Sequence, residues 1–232
     1  MTKIKSALLN SRSARRVLDH RSSSLEFGRI FRTIDQINDM YDSLTVLHST
    51  ADPALTRQSK ALKYQQQHSK AMDAAKRAVT SAVSGLMDME AQAIREAERA
   101  AGLEKLGSAE LQEIRTALRS MTIMQRDKAI KEAALNGDAG ILQAIRTAPS
   151  PVLVGDHNVP LDQLMDNFLA QVNPDLPQLK SDIRTALDFL DQATTAFAKD
   201  TGAMREPELE EAAVRSAHDS AAAEAKLAAA TE

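Results

Sequence analysis

The 232-residue chain contains no cysteine. Disulfides, thiolate nucleophiles and cysteine metal sites are therefore excluded. Tryptophan is also absent, and two Tyr with five Phe bring the aromatic share to only 3%. Large rings bury the most area per side chain, so most of the packing must fall to aliphatic groups and alanine. Eight Gly and seven Pro leave long stretches without a breaker. Between Thr56 and Ala101 there is no proline and a single glycine, Gly85. No apolar run approaches the roughly 18–20 residues of a membrane span. The first ten residues, MTKIKSALLN, hold too short an apolar run for the hydrophobic region of a cleaved leader. These absences predict a soluble protein that is not exported through a signal peptide, consistent with cytoplasm.

What is present is alanine, charge and helical spacing. The net charge is −3, but it is unevenly spread. Lys3, Lys5, Arg12, Arg15, Arg16, Arg21, Arg29 and Arg32 face only Asp19 and Glu26 in the first 32 residues, whereas residues 205–232 are acidic. Residues 1–24 read as a flexible basic arm with at most a short helical piece near Ser13–His20. Lys3, Lys5, Arg12, Arg15, Arg16 and Arg21 are its candidate contacts to an anionic partner. Nucleic acid is one such partner, bound through phosphate neutralisation, although no aromatic interleaves before Phe27 to stack on bases.

Apolar residues then recur at alternating steps of three and four, the spacing of one helix face. Phe27, Ile30, Ile34, Ile37, Tyr41 and Leu44 predict a helix over about 25–49, with His48 at the solvated end of its seam. Proline at Pro53 ends that pattern. Met72, Ala75, Val79, Ala82, Leu86, Met89 and Ala93 mark a long helix over about 56–101, whose first half is nearly all polar. Gly102 is placed to cap it, and Ser108 to start the next. Leu111, Ile114, Leu118, Met121, Met124, Ile130 and Ala133 predict one helix or two over 108–136, with a bend near Ser120–Thr122. A shorter helix is expected at about 161–172. Leu176, Leu179, Ile183, Ala186, Leu190, Ala193 and Phe197 then mark one over about 176–199. Residues 203–232 are Ala-rich with few larger apolar groups, and such a tail is expected to fray or to order only on a partner. The expected fold is all-α: an elongated, coiled-coil-like bundle of about six helices, with one helical domain over 25–202.

Motifs that carry chemistry are scarce. There is no GxGxxG and no GxxxxGK[ST], and the glycines of Asn136-Gly137-Asp138-Ala139-Gly140 read as a helix cap rather than a phosphate cradle. A single carboxylate there does not make a calcium loop. No Glu-x-x-His pair exists, and His20, His48, His68, His157 and His218 are scattered, so neither a metal nor a cofactor is expected. Asp156-His157 is the one adjacent acid/base pair considered; without a nucleophile it reads as a polar turn. Glu90, Glu96 and Glu98, interleaved with Arg95 and Arg99, read as a solvated helix face. The methionines at helical spacing read as core or seam.

The stretch AALNGDAGILQAIRTAPSPVLVG, residues 133–155, resembles one found in uncharacterised helical proteins of tailed bacteriophages. Ala133, Gly137, Asp138, Ile141, Leu142, Ala144, Ile145, Ala148, Pro149, Leu153 and Gly155 carry the resemblance, which spans about 129–155. Pro151 departs from it, standing where an apolar residue is expected. The resemblance implies a virion or assembly role and no catalytic residues. The sequence thus predicts a non-enzymatic structural protein working by helix–helix oligomerisation. Its expected partners are copies of itself and other structural proteins, with no small-molecule substrate. Its expected place is a virion assembled in the host cytoplasm; the alternatives are a nucleic-acid-associated helical protein binding through the basic arm, or an adaptor or chaperone of the bacterial cytoplasm.

Overall fold

In the computed structural model, residues 12–230 are described, with side-chain surroundings through Lys226. Every regular element among them is helical and no strand occurs. The helices are α1 (residues 12–17), α2 (Leu25–Ser49), α3 (Arg57–Ala100), α4 (Ser108–Ser120), α5 (Ile123–Asn136), α6 (Ala139–Arg146), α7 (Leu161–Val172), α8 (Leu176–Gly202) and α9 (Pro207–Ala230). Short 3₁₀ turns lie at Asp19–Arg21 and Pro151–Leu153. Nine helices among the described residues exceed the six expected. The 108–136 stretch is two helices divided at Met121, where a bend was expected; the three beyond six are α6 and one at each end. No helix of the described residues is long and apolar enough to cross a membrane.

The described residues form two compact units. Among the described residues, unit 1 comprises 12–86 and 185–230, and unit 2 comprises 87–184. The divisions fall inside α3 and α8, two helices whose sequence patterns carry no break at those points.

In unit 1, α2 and α3 form an antiparallel hairpin. The Glu26–Arg29 turn of α2 lies against Gly85 near one end, and His48 lies against Tyr64 at the other. A Cβ on Gly85 would collide with the Glu26 carboxylate and the Arg29 guanidinium, so the single glycine of that long stretch permits the approach. Thr56 caps α3 by accepting from the Ser59 amide at 3.1 Å. Phe27, Ile30, Ile34, Ile37, Leu44, Ala75, Ala82, Leu86, Ala186, Leu190, Ala193 and Phe197 are buried. The flexible arm is corrected from residue 12 onward. Ala14 and Leu18 are fully buried, and Arg15 pairs with Asp35 while its guanidinium lies 5.1 Å over the Phe31 ring.

Unit 2 has two apolar clusters. One joins Ala97, Leu103, Ala134, Leu142, Phe168, Leu169 and Leu176; the other joins Leu118, Ile130, Ile145, Val154 and Val159. Short helices need explicit ends, and the sequence supplies them. At α4, the Glu110 carboxylate accepts from the Gly107 amide at 2.8 Å, so the N-cap is Gly107 rather than Ser108. Thr122 and Gln125 make a capping box at α5. Gly137 closes α5 in the left-handed region with φ +77°, and Asp138 caps α6 by accepting from the Gly140 amide at 3.0 Å.

Candidate functional site

Three places collect polar chemistry, and each lies within one unit. The first is a corner of unit 1 where α3 meets the end of α8 and the start of α9. Tyr64 and His68, one turn apart on α3, both reach Thr201. The Tyr64 hydroxyl donates to the Thr201 carbonyl at 2.9 Å. The Thr201 hydroxyl donates to the Phe197 carbonyl at 2.6 Å, so its oxygen accepts from His68 Nε2 at 3.1 Å. The two rings stack with centroids 6.1 Å apart, and His48 meets Tyr64 edge-on at 5.6 Å. Beside them Arg205 makes two hydrogen bonds to Glu210, at 3.2 and 2.6 Å. This bond raises the Arg205 pKa further above its ordinary value. Burial pushes the Tyr64 phenol up to about 12, with the fields of Tyr41 and Glu210 adding to the rise. Burial lowers the His68 pKa, and the nearby Arg205 charge acts in the same direction.

A phenol held neutral as a donor to a backbone carbonyl is poorly matched to proton transfer near pH 7. The Thr201 hydroxyl gives its proton to the Phe197 carbonyl rather than to His68, and the corner reads as a latch holding α8 and α9 to α3. Its pH dependence follows from the signs. The fold prefers neutral His68, so its contribution is complete above the ordinary histidine value and declines as pH falls below 6.5. The fold also prefers neutral Tyr64, so its contribution is complete below pH 10 and is lost as pH rises toward about 12. Unfolding midpoints of unit 1 across pH should fall on both sides. Tyr64→Phe should remove most of the alkaline loss, and His68→Gln most of the acid loss; unchanged curves in the variants would reject this account.

The second place is the corner after α6. Arg126, buried near the start of α5, donates to the backbone carbonyls of Leu118 (2.7 Å), Met121 (2.8 Å) and Asp156. The next residue, Asp127, accepts from the Asn158 amide at 3.0 Å. Gly155 sits in the left-handed region at φ +88°, and a Cβ there would be 2.6 Å from the guanidinium carbon of Arg126. Consecutive residues of α5 thus pin the loop that carries Asp156 and His157. The Asp156 side chain is exposed. Arg115 secures the same region, donating to the Ala144 carbonyl and the Thr147 hydroxyl, each at 2.8 Å. Gln143 forms a two-way bond with the backbone of Leu106, both at 3.1 Å.

The third place is an open pocket of about 430 Å³ in unit 2, formed by α3, α6, α7 and the start of α8. Ile94, Leu142, Ile145, Leu161, Met165 and Leu169 make its apolar lining. On its rim Arg146 pairs with Glu98, and Lys180 pairs with Asp166 at 2.6 Å. Asp162 is the rim's third carboxylate. Glu98 is a correction: it is buried and ion-paired, not part of a solvated face.

The seam residues are turned inward within the chain. Phe27, Ile30, Ile34, Ile37, Leu44, Leu86, Leu176, Ile183, Leu190 and Phe197 are buried, while Tyr41, Val79 and Leu179 are partly buried. Met124 departs from its expected stripe and is 83% exposed, because the break at Met121 turns it outward. Arg12 and Arg16 are exposed and Arg21 is partly buried; Lys3 and Lys5 lie outside the described residues. Arg126, Arg115 and the Tyr64–Thr201 bond have no counterpart in the sequence reading. Their partners are backbone carbonyls, which sequence spacing does not mark. Among the described residues no cluster of three or more His, Asp or Glu is arranged to hold a metal.

Comparison with protein families, with curated proteins and with solved structures finds no match.

Proposed function

We propose that this chain is a non-enzymatic helical assembly protein that associates with copies of itself through surface left over after its two cores are filled. The observation that carries the reading is α9. Its first turns are anchored by Glu210 and Ala213, but every side chain from Val214 to Lys226 is exposed. A helix with so little buried surface draws no stability from tertiary packing over that length, and contact with a second chain would supply it. The seams do not serve this purpose, since they are occupied internally. A place in a tailed-phage virion, assembled in the host cytoplasm, follows from the resemblance over 129–155.

Sedimentation of the full chain over a concentration series tests the reading. The chain should self-associate, and removal of residues 214–232 should weaken association at least tenfold. A monodisperse monomer at every concentration would overturn the proposal. Association unaffected by the truncation would remove α9 as its basis.

A further inference from the structure

The pocket of unit 2 and the first residues of the chain have matching chemistry. The pocket's six apolar side chains surround about 430 Å³, within the range of about 300–1,000 Å³ typical of sites that enclose ligands. Met165, unbranched and only partly buried, can adapt its wall to an occupant. Two of its rim carboxylates are neutralised by Arg146 and Lys180. Asp162 forms no ion pair among the described residues and leaves the rim with one excess negative charge. Outside the described residues lies a segment of opposite character. Lys3, Ile4, Lys5, Ala7, Leu8 and Leu9 combine aliphatic groups with two cations, and no acidic residue occurs before Asp19. Ile4 and Leu8 are of a size to fill such a pocket, with Lys3 and Lys5 left for its rim.

We infer that residues 3–9 of a second copy of this chain dock in the pocket, with Ile4 and Leu8 against its apolar wall and Lys3 or Lys5 beside Asp162. The inference rests on the self-association reading, and it adds to α9 a second surface and segment that would join copies. It makes the basic start of the chain a protein ligand rather than a nucleic-acid arm.

A chain without cysteine allows a direct test. Full-length Leu8→Cys protein is mixed with full-length Met165→Cys protein under mild oxidation. A Leu8→Cys plus Leu135→Cys mixture serves as the control, since Leu135 is 76% exposed and lies outside the pocket. The pocket pair should give a mixed disulfide dimer several-fold faster than the control. Charge reversal supplies a second readout that leaves the core intact. Asp162→Lys should weaken association about threefold to tenfold, as should Lys3→Glu with Lys5→Glu, and combining the reversals should restore much of the loss. Association with pocket crosslinking no faster than the control would overturn this inference while leaving the assembly reading standing. Crosslinking within one chain only, when both cysteines are placed on it, would overturn the second-copy assignment. Specific crosslinking that survives loss of residues 214–232 would support the docking and count against α9. Absence of any association would remove both proposals.

Discussion

Arg126→Ala should lower the stability of unit 2 by about 3–5 kcal/mol, the largest effect expected of any single polar substitution here. The guanidinium is buried, and its hydrogen bonds go to main-chain carbonyls at the end of α4 and in the loop at Asp156. Each carbonyl left unpaired away from water costs about 1–3 kcal/mol. The loss is compounded because Gly155 packs directly on the guanidinium, so truncation also opens a cavity. Lysine should rescue little, since a single ammonium cannot reproduce the planar fork. Chemical denaturation gives the magnitude, and amide exchange gives its location. Protection should fall first in α4, the start of α5 and residues 151–160. A cost under about 1 kcal/mol would mean that the side chain is solvated and that the corner is held by other contacts.

The second large effect is expected in unit 1. Phe197→Ala should cost about 3–5 kcal/mol, through lost apolar transfer and the residual cavity. Phe197 is almost wholly buried, and its carbonyl accepts from Thr201, the residue gripped by Tyr64 and His68. Disorder introduced at this turn should therefore propagate to the latch. The prediction is loosened exchange protection at Tyr64 and His68 along with the fall in stability. Phe197→Leu, which keeps much of the volume, should cost less than half as much. Leu25→Ala, at a position 66% exposed, should stay within about 0.5 kcal/mol. Comparable losses at Phe197 and Leu25 would contradict the assignment of the core.

The helical character was legible because three-and-four spacing is a local property of the chain. Phe27 through Leu44 need only one another to define a face, and that face is buried. Several helix ends were equally local. Gly137 and Asp138 satisfy backbone groups within one turn, and the Thr122–Gln125 box is a readable start signal of the same kind. The spacing did not say what each face meets. A stripe looks the same whether a helix of the same chain or of another covers it. The inward packing of Ile34, Leu86 and Leu190 assigns those stripes to the interior of the chain.

The candidate site was less legible, for a related reason. Arg126 resembles any surface arginine until the α4–α5 break brings the Leu118 and Met121 carbonyls, and the loop at Asp156 a third, within its reach. Glu98 looks solvated until Arg146 arrives from α6. Arg15 looks like part of a charged arm until Phe31 and Asp35 stand beneath it. In each case a long polar side chain found a partner far away in sequence, where composition and periodicity carry no signal.

By itself the sequence determined an all-helical protein, because breakers are few and apolar residues keep helical steps over most of residues 27–197. It also located the corner at residues 136–155, through glycine and proline. Tertiary structure alone decided the division into two units, the docking of residues 12–21 and the emergence of an acid-rimmed pocket. These depend on which faces meet, and that choice is made by packing and charge pairing between segments separated by tens of residues.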